Sequence, residues 1–94
     1  IDQGGGLVWR FKDADNYYIA RANPLENNFR VYKVVSGRRF QLQSARIPLQ
    51  AGRWYVMRIE NKGDRIVCFL NGKKHLDVRD NTFQSGKIGL WTKA

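Results

Sequence analysis

Apolar and polar residues alternate along most of the chain, which is the spacing of half-buried β-strands. Apolar residues never follow helical spacing for more than about two turns. The pattern therefore predicts short strands, rich in β-branched and aromatic residues, between turn residues. The predicted strands are Gly5–Phe11, Tyr17–Ala22, Phe29–Val35, Arg39–Gln43, Trp54–Asn61, Arg65–Leu70, Lys73–Val78 and Lys87–Thr92. Strands at this spacing are typical of an antiparallel all-β sandwich or barrel.

The segment around Lys62-Gly63 predicts its own strand pairing. If these two residues form the turn, Glu60 lies opposite Arg65, and the apolar residues share the other face. That apolar set is Tyr55, Met57, Ile59, Ile66, Cys68 and Leu70. We therefore expect Cys68 to be a buried small side chain and not a nucleophile.

The next hairpin, around Asn71-Gly72, leaves two pairings open. With a plain two-residue turn, Leu76 and Val78 lie on the face away from the core. With a bulge at the turn, both side chains lie on the core face. In both pairings His75 lies on the face opposite Leu76. We expect a surface histidine.

The strand Phe29–Val35 separates its residues cleanly into two faces. Phe29 and Val31 share one face, and Arg30 and Tyr32 share the other. Arginine beside an aromatic ring can bind sugars, because the ring stacks on the sugar and the guanidinium donates to hydroxyl or acidic groups.

Composition narrows the classes of function. The 94 residues, 43% of them hydrophobic, suit one domain that spans residues 1–94. Lys and Arg number 17 against 8 Asp and Glu, so the net charge of +9 favours anionic partners. One cysteine and one histidine exclude an internal disulfide and a zinc finger. No apolar stretch approaches the roughly 20 residues of a membrane span.

The carboxylates do not indicate an enzyme. Glycosidases need two carboxylates about 5–9.5 Å apart, and no such motif or Ser-His-Asp arrangement is evident. Four acids lie in predicted turns, and we assign Glu60 to Arg65. Glu26 and Asp77 have no evident structural role. The segment Asp13–Asn16 superficially resembles the start of a Ca²⁺ loop but lacks its glycine and final glutamate. We therefore expect no cofactor, and calcium at this segment stays open as an alternative.

Several motifs together resemble one known family. They are Gly5-Gly6-Leu7-Val8-Trp9, Asp15-Asn16-Tyr17-Tyr18, Asn71-Gly72-Lys73 and Gly89-Leu90-Trp91. Their order resembles the concanavalin A-like lectin/glucanase superfamily, in particular the laminin-G-like jelly rolls of bacterial secreted proteins known as 3-keto-disaccharide hydrolase domains.

The resemblance implies a two-sheet jelly roll, often with a sugar-binding sheet, in an extracellular or periplasmic protein. Members of this family normally have further strands before the Gly-Gly-Leu motif and an acid-bearing strand after Trp91. The sequence therefore predicts a sandwich without its terminal strands. Its exposed sheet edges would then pair in a homo-oligomer.

We accordingly expect a non-catalytic carbohydrate-binding module for polysaccharides, acidic ones in view of the charge. The residues expected to face the ligand are Arg21, Arg30, Tyr32 and Trp91. Two alternatives stay open: part of a 3-keto-glycoside hydrolase whose catalytic acids lie outside this chain, and a basic domain that binds protein or nucleic acid. The basic residues are spread over all strands and do not line one groove, which argues against nucleic acid as the partner.

Overall fold

Eight β-strands follow one another in this computed structural model, which describes residues 5–50 and 55–92, with the backbone alone at 90–92. They are β1 (Gly5–Asp13), β2 (Asn16–Asn23), β3 (Asn28–Val35), β4 (Arg38–Arg46), β5 (Met57–Lys62), β6 (Arg65–Leu70), β7 (Lys73–Arg79) and β8 (Lys87–Thr92). Each lies within three residues of a predicted strand at both ends.

The strands form two antiparallel sheets within the described residues. Five pair in the order β4-β3-β2-β1-β8, and three pair in the order β5-β6-β7. The all-β sandwich predicted from the alternation is confirmed. The described part of the chain contains no helix long and apolar enough to cross a membrane.

The main core lies between the facing sides of the two sheets. The five-stranded sheet contributes Trp9, Tyr18, Phe29 and Val31, all at most 6% exposed. The three-stranded sheet contributes Ile66, Cys68, Leu70 and Leu76, with Met57 and Ile59 packed against them. This confirms the apolar face predicted for β5 and β6. Burial of the Cys68 side chain raises the pKa of its thiol to about 12.

The turn between β5 and β6 differs from its predicted position by one residue. Lys62 pairs with Arg65, so Gly63 and Asp64 form the turn and Glu60 lies opposite Val67. The predicted pairing of Glu60 with Arg65 is therefore wrong. The pairing is shifted by two residues, which leaves every side chain on its predicted face.

The hairpin between β6 and β7 combines features of both predicted alternatives. Asn71 and Gly72 form a two-residue turn, with φ angles of 51° and 81°. The bulge lies further along β7, where Cys68 pairs with Leu76 and His75 is the extra residue. A bulge places consecutive residues toward the same side, so the His75 ring reaches within 6.3 Å of the Phe29 ring, between centroids. The prediction that His75 lies opposite Leu76 is wrong.

A hydrogen-bonded network anchors the connection between β7 and β8 to the five-stranded sheet. The Tyr18 hydroxyl donates to Asp80 Oδ1 at 2.7 Å and accepts from the Phe83 backbone N–H at 3.2 Å. Lys33 Nζ lies 3.0 Å from Asp80 Oδ2. Burial disfavours the Asp80 charge, but hydrogen bonds from Thr82, Tyr18 and Lys33 outweigh it and lower its pKa to about 2.

Two side chains of β1 join the two sheets beside this network, since Trp9 pairs with Tyr18. Trp9 Nε1 donates to Asn61 Oδ1 at 3.0 Å. Arg10, at a φ of 50°, donates to the backbone carbonyls of Asn61 at 3.2 Å, Gly63 at 2.9 Å and Phe83 at 2.8 Å. The β5–β6 hairpin is thereby fixed to β1 by hydrogen bonds between residues distant in sequence.

Candidate functional site

The strand register collects polar and cationic residues on the outer face, defined as the side of the five-stranded sheet that faces away from β5–β7. Arg21 of β2 pairs with Arg30 of β3, and Arg30 pairs with Ser44 of β4. The next row toward the β2–β3 turn joins Asn28 to Arg46. Side chains directly opposite in antiparallel strands have Cβ atoms about 5 Å apart. The register therefore places Arg21, Arg30 and Arg46 close together.

Arg30 lies at the centre of this group. Its Nε donates to Ser44 Oγ at 3.1 Å, and its Nη1 lies 4.0 Å from Glu26 Oε1. Hydrogen bonding with the Tyr32 hydroxyl is the largest cause that raises the pKa of Arg30 above its ordinary value, and the Glu26 carboxylate adds to it. The guanidinium is held in one direction while its side chain remains 35% exposed, so it can still reach a ligand.

Glu26 is positioned by the turn between β2 and β3. Asn23 Oδ1 accepts from the Leu25 backbone N–H at 3.0 Å, which is the side-chain bond of an Asx turn. Glu26 Oε1 then accepts from the side-chain amides of Asn23 and Asn28, each at 3.3 Å. Because Asn28 is only 7% exposed, its amide provides a fixed donor behind the carboxylate.

Asn27 completes the turn and connects it to the chain after β4. Its φ of 54° lies in the left-handed region, which asparagine adopts more readily than most residues. Its Oδ1 accepts from the Leu49 backbone N–H at 3.0 Å, and its carbonyl accepts from the Ile47 N–H at 2.9 Å. These bonds hold the segment after Arg46 beside the turn.

Between the turn and the end of β4 lies a cavity of about 440 Å³, here called the polar pocket. It is lined by Glu26, Asn27, Asn28, Arg30, Ser44 and Arg46. The guanidinium groups donate hydrogen bonds, the carboxylate accepts them, and the amide and hydroxyl groups do both. Such a lining can bind a polyhydroxylated ligand, and its two arginines can also bind a carboxylate or sulfate.

The apolar part of the outer face is covered. Val8, Ile19 and Tyr32 form a second cluster and are at most 9% exposed, with Phe11 and Tyr17 packed against it. The Arg39 guanidinium carbon lies 4.9 Å from the centroid of the Tyr32 ring. Tyr32 therefore does not offer an open ring for stacking, and its contribution to a site would come through the hydroxyl beside Arg30.

The four residues predicted from sequence fall into three groups. Arg21 and Arg30 are neighbours in one row, and Tyr32 lies one row further along β3. The Trp91 backbone pairs with Gly6, in the same row as Arg21, but the Trp91 side chain lies outside the described groups. Their role in binding stays a prediction.

Sequence reasoning missed the residues that line the pocket around Arg30. Glu26 was left without a role, although the run from Asn23 to Asn28, rich in amide side chains around Pro24, signalled a structured turn. Ser44 and Arg46 could be found only once the β3–β4 pairing was known. Asp77, also left without a role, is held by Arg65 at 2.8 Å and Lys74 at 3.4 Å on the other sheet.

The segment considered for calcium has a structural use. Asp13 Oδ1 accepts from the Asp15 backbone N–H at 2.8 Å and from Asn16 Nδ2 at 3.0 Å, and the first of these bonds is the largest cause of its lowered pKa. In residues 5–50 and 55–92 no three His, Cys, Asp or Glu side chains form a group able to hold a metal ion.

Comparisons with known proteins agree with the fold and with the resemblance seen in the sequence. Levanase of Bacillus subtilis (strain 168) is 28% identical over 87 residues, which are 92% of this chain and 13% of levanase. The solved structure of carbohydrate-binding module CBM66 from Bacillus subtilis matches with a TM-score of 0.90 at 26% identity. That match covers 97% of this chain and 58% of the solved chain, so this sequence spans only part of both proteins.

A family model extends the match along nearly the whole sequence. The model of the 3-keto-alpha-glucoside-1,2-lyase-like domain matches residues 3–93. It agrees with the family predicted from the Gly-Gly-Leu and Asn-Gly-Lys motifs. The chain belongs to the 3-keto-alpha-glucoside-1,2-lyase-like domain family.

Proposed function

We propose that this chain is a non-catalytic carbohydrate-binding module that binds extracellular or periplasmic polysaccharide at the polar pocket and the adjoining arginines of the outer face. The observation behind the proposal is the pocket's mixture of donors and acceptors around Arg30. Sugar hydroxyls both donate and accept, so a pocket with both kinds of group can satisfy them. The solved relative is itself a carbohydrate-binding module, and the curated relative is a levanase.

Preference for acidic sugars follows from the charges around the pocket. The described rows of the outer face contain Arg21, Arg30, Arg39 and Arg46 and hold no Asp or Glu. Glu26, at the turn, is the carboxylate that lines the pocket beside Arg30 and Arg46. Two guanidinium groups against one carboxylate leave an excess of positive charge, which favours a ligand that carries carboxylate or sulfate groups.

Five carboxylates of the described residues are paired with cations, which supports a role in binding without catalysis. Glu26, Glu60, Asp64, Asp77 and Asp80 each lie within 4.0 Å of a lysine or arginine nitrogen. Carboxylates held in this way serve as structural partners of the cations. Release of product from a 3-keto-disaccharide by this chain alone would instead favour the hydrolase alternative.

Calorimetric titration tests the proposal. The ligands are levan, a neutral glucan, polygalacturonate, a sulfated dextran and single-stranded DNA, each at low salt and at about 0.5 M salt, where the Debye length falls to a few ångströms. We expect saturable binding of a polysaccharide that persists at high salt and is strongest for an acidic one. Binding to DNA alone, or to every polyanion with complete loss at high salt, would refute the proposal.

Matched substitutions locate the site. Arg30→Gln and Arg46→Gln should each weaken polysaccharide binding about tenfold or more, because a charge-assisted hydrogen bond contributes about 1.5–3 kcal/mol. Lys73→Gln, at the first residue of β7, removes a positive charge on the other sheet and serves as the control. If all three variants bind as the wild type does, the polar pocket is not the binding site.

A further inference from the structure

Within residues 5–50 and 55–92, strand β5 forms one edge of the three-stranded sheet, and two core-facing side chains beside it are only half-buried. Met57 and Ile59 face the core but remain half-buried, and Val56 just before the strand is 70% exposed. An edge strand offers backbone N–H and C=O groups for pairing with another strand. The β5 edge is therefore a surface on which a further strand can pair.

The hairpin register shows which residues present their backbone groups at this edge. Lys62 and Arg65 flank a two-residue turn, so the backbone groups of Lys62 and of every second residue before it are directed toward β6. The Val56 carbonyl accordingly accepts from the Asn71 N–H at 2.8 Å. Met57, Ile59 and Asn61 are directed the opposite way, as the bond from Arg10 to the Asn61 carbonyl confirms. That carbonyl has a second lone pair and can accept another bond.

The charges on β5 are complementary to themselves in an antiparallel pair. If Ile59 lies opposite Ile59 of a second copy, Arg58 of each copy lies opposite Glu60 of the other. Ile59 is then a hydrogen-bonded pair, and Arg58 and Glu60 fall in the closer, non-hydrogen-bonded positions. Within one chain Arg58 Nε already lies 3.8 Å from Glu60 Oε2, and both side chains are at least half exposed.

Other registers are unfavourable. A shift of two residues places Arg58 opposite Arg58, or Glu60 opposite Glu60, which is destabilising. A shift of one residue turns the half-buried side chains of one copy toward solvent. The β4 edge offers no comparable match, since Arg38, Arg39 and Arg46 of two copies would meet there with no described carboxylate on that strand.

We propose that two copies of this chain associate through β5, in an antiparallel pair centred on Ile59, to form a continuous six-stranded sheet. The pair joins the backbone groups of Met57, Ile59 and Asn61 across the interface and covers the half-buried Met57 and Ile59 side chains. Four alternating charges from two Arg58 and two Glu60 residues fix its register. The polar pocket lies on the other sheet, so this association is independent of the proposed function.

Charge exchange tests the pair by sedimentation over a range of concentrations. The wild type should form a dimer. Arg58→Glu and Glu60→Arg should each weaken that dimer about tenfold or more, because each places two like-charged pairs at the centre. Mixed in equal amounts, the two variants should form a heterodimer with affinity near that of the wild type, since opposite charges then face each other again.

The controls separate loss of folding from loss of pairing. Recovery in the mixture shows that both variants fold, and Lys73→Glu provides a charge reversal away from β5 that should leave the dimer unchanged. A wild type that stays monomeric at every concentration, or a dimer unaffected by both β5 substitutions, would overturn the proposal. So would two monomeric variants with native circular dichroism that fail to associate when mixed.

Discussion

Arg21 and Arg30 lie directly opposite each other on the neighbouring strands β2 and β3. Like charges in this position repel, and Glu26, 4.0 Å from Arg30 at the neighbouring turn, is the described carboxylate beside the pair. A structural cost at this position is consistent with a binding role, since an anionic group between the two guanidinium groups would relieve the repulsion.

In a double-mutant cycle, Arg21→Gln and Arg30→Gln isolate the interaction between these two side chains from their other contacts. The interaction should be unfavourable by about 0.2–1 kcal/mol at low salt and smaller at about 1 M salt, where the Debye length is about 3 Å. Urea unfolding of the wild type, both single variants and the double variant measures it. Arg21→Gln combined with Arg79→Gln, which removes a charge that pairs with Asp64 on the other sheet, is the matched control and should show no interaction. A favourable or salt-independent interaction between Arg21 and Arg30 would contradict the explanation by repulsion.

The Asp80 network should make stability depend on pH in acid. The pKa of Asp80 is about 2 in the folded chain, below its ordinary value of 3.8, so the unfolded chain binds its proton first as the pH falls. Its contribution is fully present above about pH 5 and is lost toward pH 2. The difference in unfolding free energy between wild type and Asp80→Asn should shrink over that range, as measured by urea unfolding. A difference that stays constant with pH would show that the Asp80 charge does not contribute.

Cys68 should be chemically inert in the folded protein. Its side chain is 0% exposed, and burial raises the pKa of its thiol to about 12, so the reactive thiolate is scarce at pH 8. A disulfide reagent that releases a coloured thiol should react slowly with the native chain and at once in denaturing urea. Rapid reaction in buffer would show that the core between β6 and the other sheet opens readily.

Gly86 should tolerate a side chain less well than Gly63. A Cβ at Gly86 would overlap the backbone of Arg10 and Phe11, and its φ of 147° disfavours other residues. Gly63 also has a positive φ, 56°, but a Cβ there meets nothing within 4 Å. Gly63→Ala should cost about 1 kcal/mol and Gly86→Ala clearly more, because backbone atoms have to move. Thermal unfolding of the two variants compares them, and equal costs would contradict the close approach.

The sequence predicted the architecture well because alternation depends only on which residues are apolar. It did not determine the exact turn between β5 and β6, since both pairings keep Arg58 and Glu60 on the same face. The choice depends on contacts such as that of Asn61 with Trp9, 52 positions away. The bulge at His75 likewise has no signal in the alternation, because it depends on how β7 packs against the other sheet.

The candidate site was predictable only in part. Arg21 and Arg30 followed from alternation within their own strands, and the register brought them into one row. Glu26, Ser44 and Arg46 come from a turn and from the far strand, so their convergence depends on tertiary structure. The burial of Tyr32 could not be read from the chain, because Arg39 from β4 covers its ring.

The alternation on β3 has a consequence for engineering. Phe29 and Val31 hold the core, whereas Arg30, between them along the strand, points to the opposite face. A library that randomises Arg21, Ser44 and Arg46 would therefore change the proposed binding surface while the core side chains of β3 stay the same. The fold can serve as a small display scaffold in which affinity is selected on one face while the other maintains foldability.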